Sequence, residues 1–430
     1  MSVDTNSVPT ISRVFDDGTL VELVYDPEKA TTAFAVHRPD GSAAIEPSFL
    51  APTGEQLVPY SAKNNLISTG CVLLPSDIGD FGDKGDLVVE IQAFLHRYVD
   101  LSPLFEEVAA HYVLLTWVYD AFSDLGYLRL RGEWGSGKTR ALLTLGSLSY
   151  KPFFASGAST VSPIFHIQDA FQGTLILDEA DFRFTDQTAE LTKVLNNGTT
   201  RGLPVLRTMT NRHRELNPTA FRVFGPKVIA MRESFSDRAL ESRFLTEETG
   251  GRTLRSDIPI HLPDSFKGEA LALRNKLLAW RFRARAEVRP DPSRLPDDAA
   301  PRTKQTSLAL LSLIDDAGLR SRLVDHLAGL DACAVEERAD TLDAAMLAAV
   351  MDAFAASPAH YAAVRDVTDR FNANKADDFG KPMTNKWVGS FIRRRLRLAT
   401  TKTGGVYVIP PSERARVSAL AKRFGVEDAA

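Results

Sequence analysis

Residues 127–139 read YLRLRGEWGSGKT, so Gly132, Gly135, Gly137, Lys138 and Thr139 fall on the spacing G-x-x-x-x-G-K-[ST] without a gap. Glycines so placed let successive backbone N–H groups turn inward around an anion, while the lysine adds a cation and the hydroxyl a hard oxygen donor. The chemistry this suits is the grip of a nucleoside triphosphate. Gly132, Glu133, Trp134, Gly135, Ser136 and Gly137 would form the cradle, Lys138 would neutralise β and γ oxygens, and Thr139 would reach a magnesium ion. A second pair of groups follows in TLILDEAD, residues 174–181, an apolar run that ends in the adjacent carboxylates Asp178 and Glu179. An open α/β sheet presents the carboxyl ends of its strands to the ligand crevice. Asp178 is therefore expected to hold the magnesium and Glu179 to orient an attacking water.

These groups need a strand before the loop and a helix after it. Tyr127, Leu128 and Leu130 suggest a short buried strand, and RALLTLGSL after Thr139 has helical spacing. The expected fold is α/β, a three-layer P-loop NTPase core with additions at both ends. Residues 1–85 form a β-rich region in which positions 10–60 alternate between Asp17-Gly18 and Asp40-Gly41 as a small antiparallel meander. Residues 86–126 are helical, with Trp117 and Tyr119 in an aromatic core stripe, and the ATPase core spans 127–263. A lid helix (264–290), a proline-rich linker (291–305), a helical domain (306–357) and a C-terminal unit (358–430) complete the chain.

Composition sets wider limits. The chain has 430 residues, 44% of them hydrophobic and 25% charged, and a net charge of −4, enough for several compact units. MSVDTNSVPT has no basic start followed by an apolar core, and the stretch around HYVLLTWVY is too short to span a bilayer. No membrane partner and a cytoplasmic location are expected. Cys71 and Cys333 stand far apart and the eight histidines are scattered, which argues against a disulfide framework and a zinc site.

Three further features carry charge. Residues 195–221, LNNGTTRGLPVLRTMTNRHRELNPTAF, place Arg201, Arg207, Arg212 and Arg214 on a segment without an acid between Asn196 and Arg214. A hairpin there would carry positive charge toward nucleic-acid phosphates, or would pair with a neighbouring subunit's acids. FGPKVIAMRES reads as a core strand with Arg232 just past its end, placed to sense a γ-phosphate, and FSDRALESRFL as a helix delivering Arg238 and Arg243. An arginine set against a transferring γ-phosphoryl group stabilises the transition state and can come from the next subunit; the alternative is a structural ion pair. Finally, residues 381–423 hold eleven Lys and Arg against the single acid Glu413. Within TNKWVGSFIRRRLRL, Trp387, Val388, Phe391, Ile392 and Leu396 make an apolar helical face. Lys386, Ser390, Arg393, Arg394 and Arg397 make a basic one. ATTKTGGVYVIP, with Lys402, then reads as two strands around Gly404-Gly405, the wing of a winged helix-turn-helix for DNA or, alternatively, for protein contacts.

Taken together, GSGKTR, TLILDEADF, LNNGTTRG, FGPKVIA and DRALESRF resemble an AAA+ ATPase. They are similar, more widely, to NTPases of phages, plasmids and integrated elements regarded as replication helicases akin to superfamily 3 or minichromosome-maintenance proteins. The resemblance implies phosphate binding by residues 132–139, magnesium at Thr139 and Asp178, water activation by Glu179 and an arginine finger at Arg243. It also implies ATP and Mg2+ as cofactors, and DNA, a homo-oligomeric ring and other replication proteins as partners. The family's Asn or Thr sensor is here Met231 or Arg232, and Arg274 on the lid helix would be a second sensor. Two functional classes follow. One is an oligomeric DNA-dependent ATPase, a replicative helicase or translocase of a mobile element; the other is an ATP-switched DNA-binding regulator, loader or target selector that never translocates. A metabolic kinase would leave the basic C-terminal region without a role.

Overall fold

The structure, a computed structural model, describes residues 7–178, 186–210, 216–235, 237–339, 341–357, 360–375 and 382–426. The chain divides into two compact units, Met1–Val324 and Asp325–Ala430.

The first unit begins with short strands: β1 (Ser7–Thr10), β2 (Ser12–Val14), β3 (Leu20–Asp26), β4 (Thr31–His37), β5 (Ala43–Glu46), β6 (Phe49–Leu50) and β7 (Gln56–Pro59). Strands β2 to β5 pair in chain order as an antiparallel meander, and β1, β7 and β6 form a smaller sheet. A short helix α1 (Asn65–Ser68) leads to α2 (Lys84–Tyr98) and α3 (Pro103–Val118). Ser102 caps α3 by accepting from the Phe105 N–H, and Pro103 follows at the first helical position, where its missing N–H costs nothing. α3 is apolar all round and correspondingly buried; Trp117 and Tyr119 lie in the core, tied to the Leu148 and Gln172 carbonyls.

The central sheet and its helices follow as β8 (Tyr127–Arg131), α4 (Lys138–Leu148), β9 (Phe153–Ser156), α5 (Val161–Phe171), β10 (Leu175–Asp178) and α6 (Asp186–Asn197). A hairpin, β11 (Val205–Thr210) and β12 (Leu216–Phe221), precedes β13 (Lys227–Met231), α7 (Arg238–Glu241), β14 (Phe244–Glu248) and the long α8 (Ser265–Glu287). Five strands form one parallel sheet in the order β14-β8-β13-β10-β9. Parallel pairing needs crossovers that cover both faces, which is why β8, β10 and β13 are buried almost throughout and β10 and β13 are mostly apolar. The unit ends with α9 (Pro301–Leu313) and the start of α10 (Ala317–Ala339).

A buried polar cluster locks the N-terminal meander to this scaffold. Glu22 of β3 accepts from the Tyr150 hydroxyl at 2.8 Å and from Arg281 Nε of α8 at 2.8 Å, and its other oxygen lies 2.7 Å from Lys151 Nζ. Arg281 also reaches Asp120 at 2.9 Å. Burial pushes the Glu22 carboxyl up, but the Lys151 and Arg281 charges outweigh it and hold the carboxyl below its usual range.

Lys227, at the start of β13, is buried without such compensation: its Nζ donates to the Val223 and Gly225 carbonyls at 3.0 and 2.9 Å. Desolvation draws it from 10.5 down to about 7. Because the folded value lies below the unfolded one, the protonated group opposes folding most strongly below pH 7, and this cost fades as pH rises toward 10.5. Lys227→Met is therefore expected to gain stability relative to the parent at pH 6 and to lose that advantage by pH 10. The swing would be on the order of 4 kcal/mol as an upper bound, read from urea unfolding at each pH. A stability difference that does not vary with pH would contradict a buried titrating lysine.

The second unit holds the rest of α10, then α11 (Leu342–Ala355), β15 (Ala362–Ala363), α12 (Val364–Lys375), α13 (Asn385–Arg394), β16 (Thr401–Thr403), β17 (Val406–Ile409) and α14 (Arg414–Phe424). Its strands form an antiparallel sheet in the order β15-β17-β16. Two boundaries differ from the sequence reading. The segment 306–357, read as one helical domain, is divided between the units inside α10, and α9 already begins within the expected linker at Pro301. Composition marks where proline accumulates, whereas the boundary follows which core each helix packs on.

Candidate nucleotide-binding site

The sheet order brings the loop and the acidic strand together. β8 and β10 are not neighbours, because β13 lies between them, and all three end at the same edge with Arg131 level with Met231. From that edge the chain leaves β8, turns through residues 132–137 and enters α4 at Lys138. Gly135 and Gly137 have φ of 73° and 87°, the left-handed region that costs an L side chain, and a Cβ on either would meet nothing within 4 Å. Gly132 is required for a different reason: a Cβ there would lie 2.4 Å from the Thr249 carbonyl and hydroxyl oxygens. Thr249 follows β14, and its hydroxyl lies 2.8 Å from Ser136 Oγ and 3.0 Å from the Arg131 carbonyl, which pins the loop. Spacing did not reveal Thr249, because only the parallel pairing of β14 with β8 brings it there.

Lys138 Nζ arches back over the loop and donates to the carbonyls of Gly132 at 2.6 Å and Glu133 at 2.7 Å. Thr139 Oγ1 donates to Asp178 Oδ2 at 2.8 Å. An upturned glycine loop at a helix N-terminus, an ammonium, and a hydroxyl beside a carboxylate fit a nucleoside triphosphate with magnesium. Thr139 and Asp178 would hold the metal, which would supply neutralisation of phosphate charge; Lys138 would exchange loop carbonyls for phosphate oxygens. Glu179 lies outside the described residues. Arg232 stands exposed just past β13 with its guanidinium carbon 5.1 Å from the centre of the Trp134 ring, and Trp134 is itself 80% exposed. The position between loop and carboxylate is thus held by an arginine stacked on the loop. Arg140, in the first turn of α4, donates to the Pro259 and Ile260 carbonyls and ties the segment before α8 to the loop helix.

Other expected site residues stand elsewhere. Arg243 precedes β14 at the opposite edge of the sheet, with its carbonyl bonded to the Tyr127 N–H. Strands of five residues put roughly 15 Å between the two edges. Half-buried, Arg243 donates to the Asn196 carbonyl and, at 3.0 Å, to Thr199 Oγ1, and burial lowers its pKa. Arg129, buried in β8, makes a two-point pair with Glu241 that anchors α7; Arg238 is exposed on the same short helix. Arg274 is not at the nucleotide edge. It is buried and donates to the Ser147 and Leu74 carbonyls at the far end of α4, because the face of α8 that carries it packs inward.

The expected DNA contacts divide into two groups. The basic segment does form a hairpin, β11 with β12, but Arg201 donates to the Phe122 and Asp120 carbonyls and Arg207 pairs with Glu190. Arg212 and Arg214 lie outside the described residues. In the second unit the apolar face of α13 is inward as expected, with Val388 and Ile392 fully buried. Lys386, Arg394 and Lys402 are exposed and have no side-chain partner among the described residues, while Arg393 reaches Thr400 Oγ1 at 3.2 Å. Arg397 is not on that helix, which ends at Arg394.

A parallel α/β sheet with a glycine loop and an acidic strand at its carboxyl edge defines the class of fold. No protein-family model matches the chain, and no curated protein sequence matches it. Among solved structures it is similar to the apo C-terminal region (305–718) of NrS-1, at 10% identity and a TM-score of 0.39, covering 90% of this chain and 95% of that one. It is also similar to the SCCmec type IV Cch active helicase, at 12% identity and a TM-score of 0.39, covering 97% and 95%. JCV helicase is similar over 56% of this chain and 61% of its own, at 13% identity and a TM-score of 0.25. Among the described residues no helix is long and apolar enough to cross a membrane.

Proposed function

We propose that the protein is an oligomeric, DNA-dependent ATPase that acts as a helicase or translocase, as replication proteins of mobile elements do. The observation that carries this reading is the 2.8 Å contact between Thr139 and Asp178 beside the turned loop, which would give magnesium a corner between the start of α4 and the end of β10. ATP with Mg2+ would sit on residues 132–139, and Glu179 would orient the water. Arg243, at the opposite edge of the sheet, cannot reach its own loop, so a role at a γ-phosphate requires the next subunit and hence a ring or filament. The exposed cations Lys386, Arg394 and Lys402 of a winged-helix unit, which have no side-chain partner among the described residues, would hold DNA phosphates together with Arg393.

A second reading, in which ATP switches a DNA-binding protein that never translocates, is favoured by one observation. The two described arginines of the basic segment are tied within the chain, Arg207 of the hairpin to Glu190 and Arg201 before it to backbone carbonyls. A forked duplex separates the two. The motor reading predicts ATP-dependent strand separation by a multimer that forms with ATP and DNA, with mass followed alongside. ATP-dependent binding that leaves the strands paired would establish the switch and overturn the motor.

A further inference from the structure

Helix α14 sets Arg416, Leu420, Arg423 and Phe424 at i, i+4, i+7 and i+8, on one face. In the C-terminal unit that face lines a cavity of about 560 Å³, closed by Leu396 and Arg397 beyond the end of α13 and by the Asp343–Arg395 pair. The volume falls within the range of small-ligand sites. Asp343, the carboxylate among the described lining residues, is occupied: Arg395 contacts it at 2.9, 3.2 and 3.1 Å. Arg397 has no side-chain partner among the described residues, and Arg416 pairs with Glu413 at 4.0 Å. Beneath these cations the floor is apolar, with Leu396 buried and Leu420 and Phe424 half-buried.

The backbone at Arg397 adds an independent sign. Its φ is 57°, a left-handed conformation that costs a non-glycine residue about 1 kcal/mol or more and persists where surroundings impose it. The strained residue belongs to the cavity lining and lies beyond the end of α13, off its basic face. Guanidinium forks match phosphate oxygens two at a time, and an aromatic floor accepts the face of a base. An apolar ligand would leave the Arg397 guanidinium without a side-chain partner among the described residues, and an inorganic anion would leave the floor unused.

We propose that this cavity binds a phosphorylated nucleoside, its phosphate on Arg397, Arg416 and Arg423 and its base on Leu420 and Phe424. A nucleic-acid strand and a free nucleotide offer the same chemistry. For the strand the inference rests on the DNA reading above; for the free nucleotide it does not.

The test uses the full chain with two photoreactive probes, a 5-iodouracil oligonucleotide and 5-iodo-dUMP, with crosslinks mapped by mass spectrometry. Label is expected on residues 416–424 from the oligonucleotide, falling at least about tenfold in Arg416→Gln/Arg423→Gln. The same variant should flatten the slope of log K against log salt for single strands by about 1.4, whereas Arg416→Lys/Arg423→Lys keeps the slope. Label there from 5-iodo-dUMP with equal yield would support the cavity and assign it to soluble nucleotide. Label confined to α13 and the β16–β17 strands, with α14 unlabelled by either probe, overturns the proposal and leaves the DNA reading intact. An oligonucleotide that does not bind at all ends the DNA reading, and the 5-iodo-dUMP arm then decides the cavity alone.

Discussion

Arg243→Ala is expected to lower ATP turnover by about 10³–10⁵-fold while leaving nucleotide affinity nearly unchanged, since a finger acts on transition-state charge and not on ground-state binding. The structure gives this residue a competing role. Its guanidinium bonds the Asn196 carbonyl and Thr199 at the end of α6, so its loss also loosens that corner. Subunit mixing separates the two. An Arg243→Ala subunit keeps its loop and a Lys138→Ala subunit keeps its arginine, so a mixed assembly contains interfaces with both intact. Mixtures should recover a measurable fraction of parental turnover although each variant alone is inactive. A purely structural arginine cannot be rescued from a neighbouring subunit, and mixtures no more active than their components would establish that role instead.

The second large effect concerns stability. Glu22→Gln should destabilise the first unit by about 3–5 kcal/mol in urea unfolding, because it strands Lys151, whose side chain is only 1% exposed, while Arg281 keeps its pair with Asp120. Burial already draws Lys151 down to about 8 despite the carboxylate. The Glu22 carboxyl is held below its usual range, so the stability it contributes is present above the unfolded value near 4.5 and is lost as pH falls through the folded one. The variant should therefore also lose part of the parent's acid sensitivity. Adding Lys151→Met to Glu22→Gln should recover stability relative to the single change, as removing both members of a buried pair costs less than removing one. A cost below about 1 kcal/mol would mean that water reaches the cluster.

The loop, the acidic strand and the basic helix were legible in the sequence because each has a local signature: glycines at positive φ, an apolar run ending in carboxylates, and a two-faced period of 3.6. The antiparallel meander was legible for the same reason. What the sequence did not show depends on tertiary partners. Arg274 and Arg397 illustrate this. Periodicity places Arg274 on a face of α8 but does not say that this face meets the end of α4, and it extends α13 through Arg397 although the helix stops at Arg394. Arg201 and Arg207 count as positive charge in the sequence, but in the folded chain they are spoken for by Phe122, Asp120 and Glu190. Thr249 and Glu22 carry no motif at all and become visible only through the strands that present them.

Steady-state ATP hydrolysis by the full chain, with and without DNA, tests the central claim most directly. The account predicts magnesium-dependent turnover that DNA accelerates and that Lys138→Ala abolishes together with nucleotide binding. A parent chain that binds ATP but hydrolyses it no faster than the Lys138→Ala variant, with DNA or without, would contradict it.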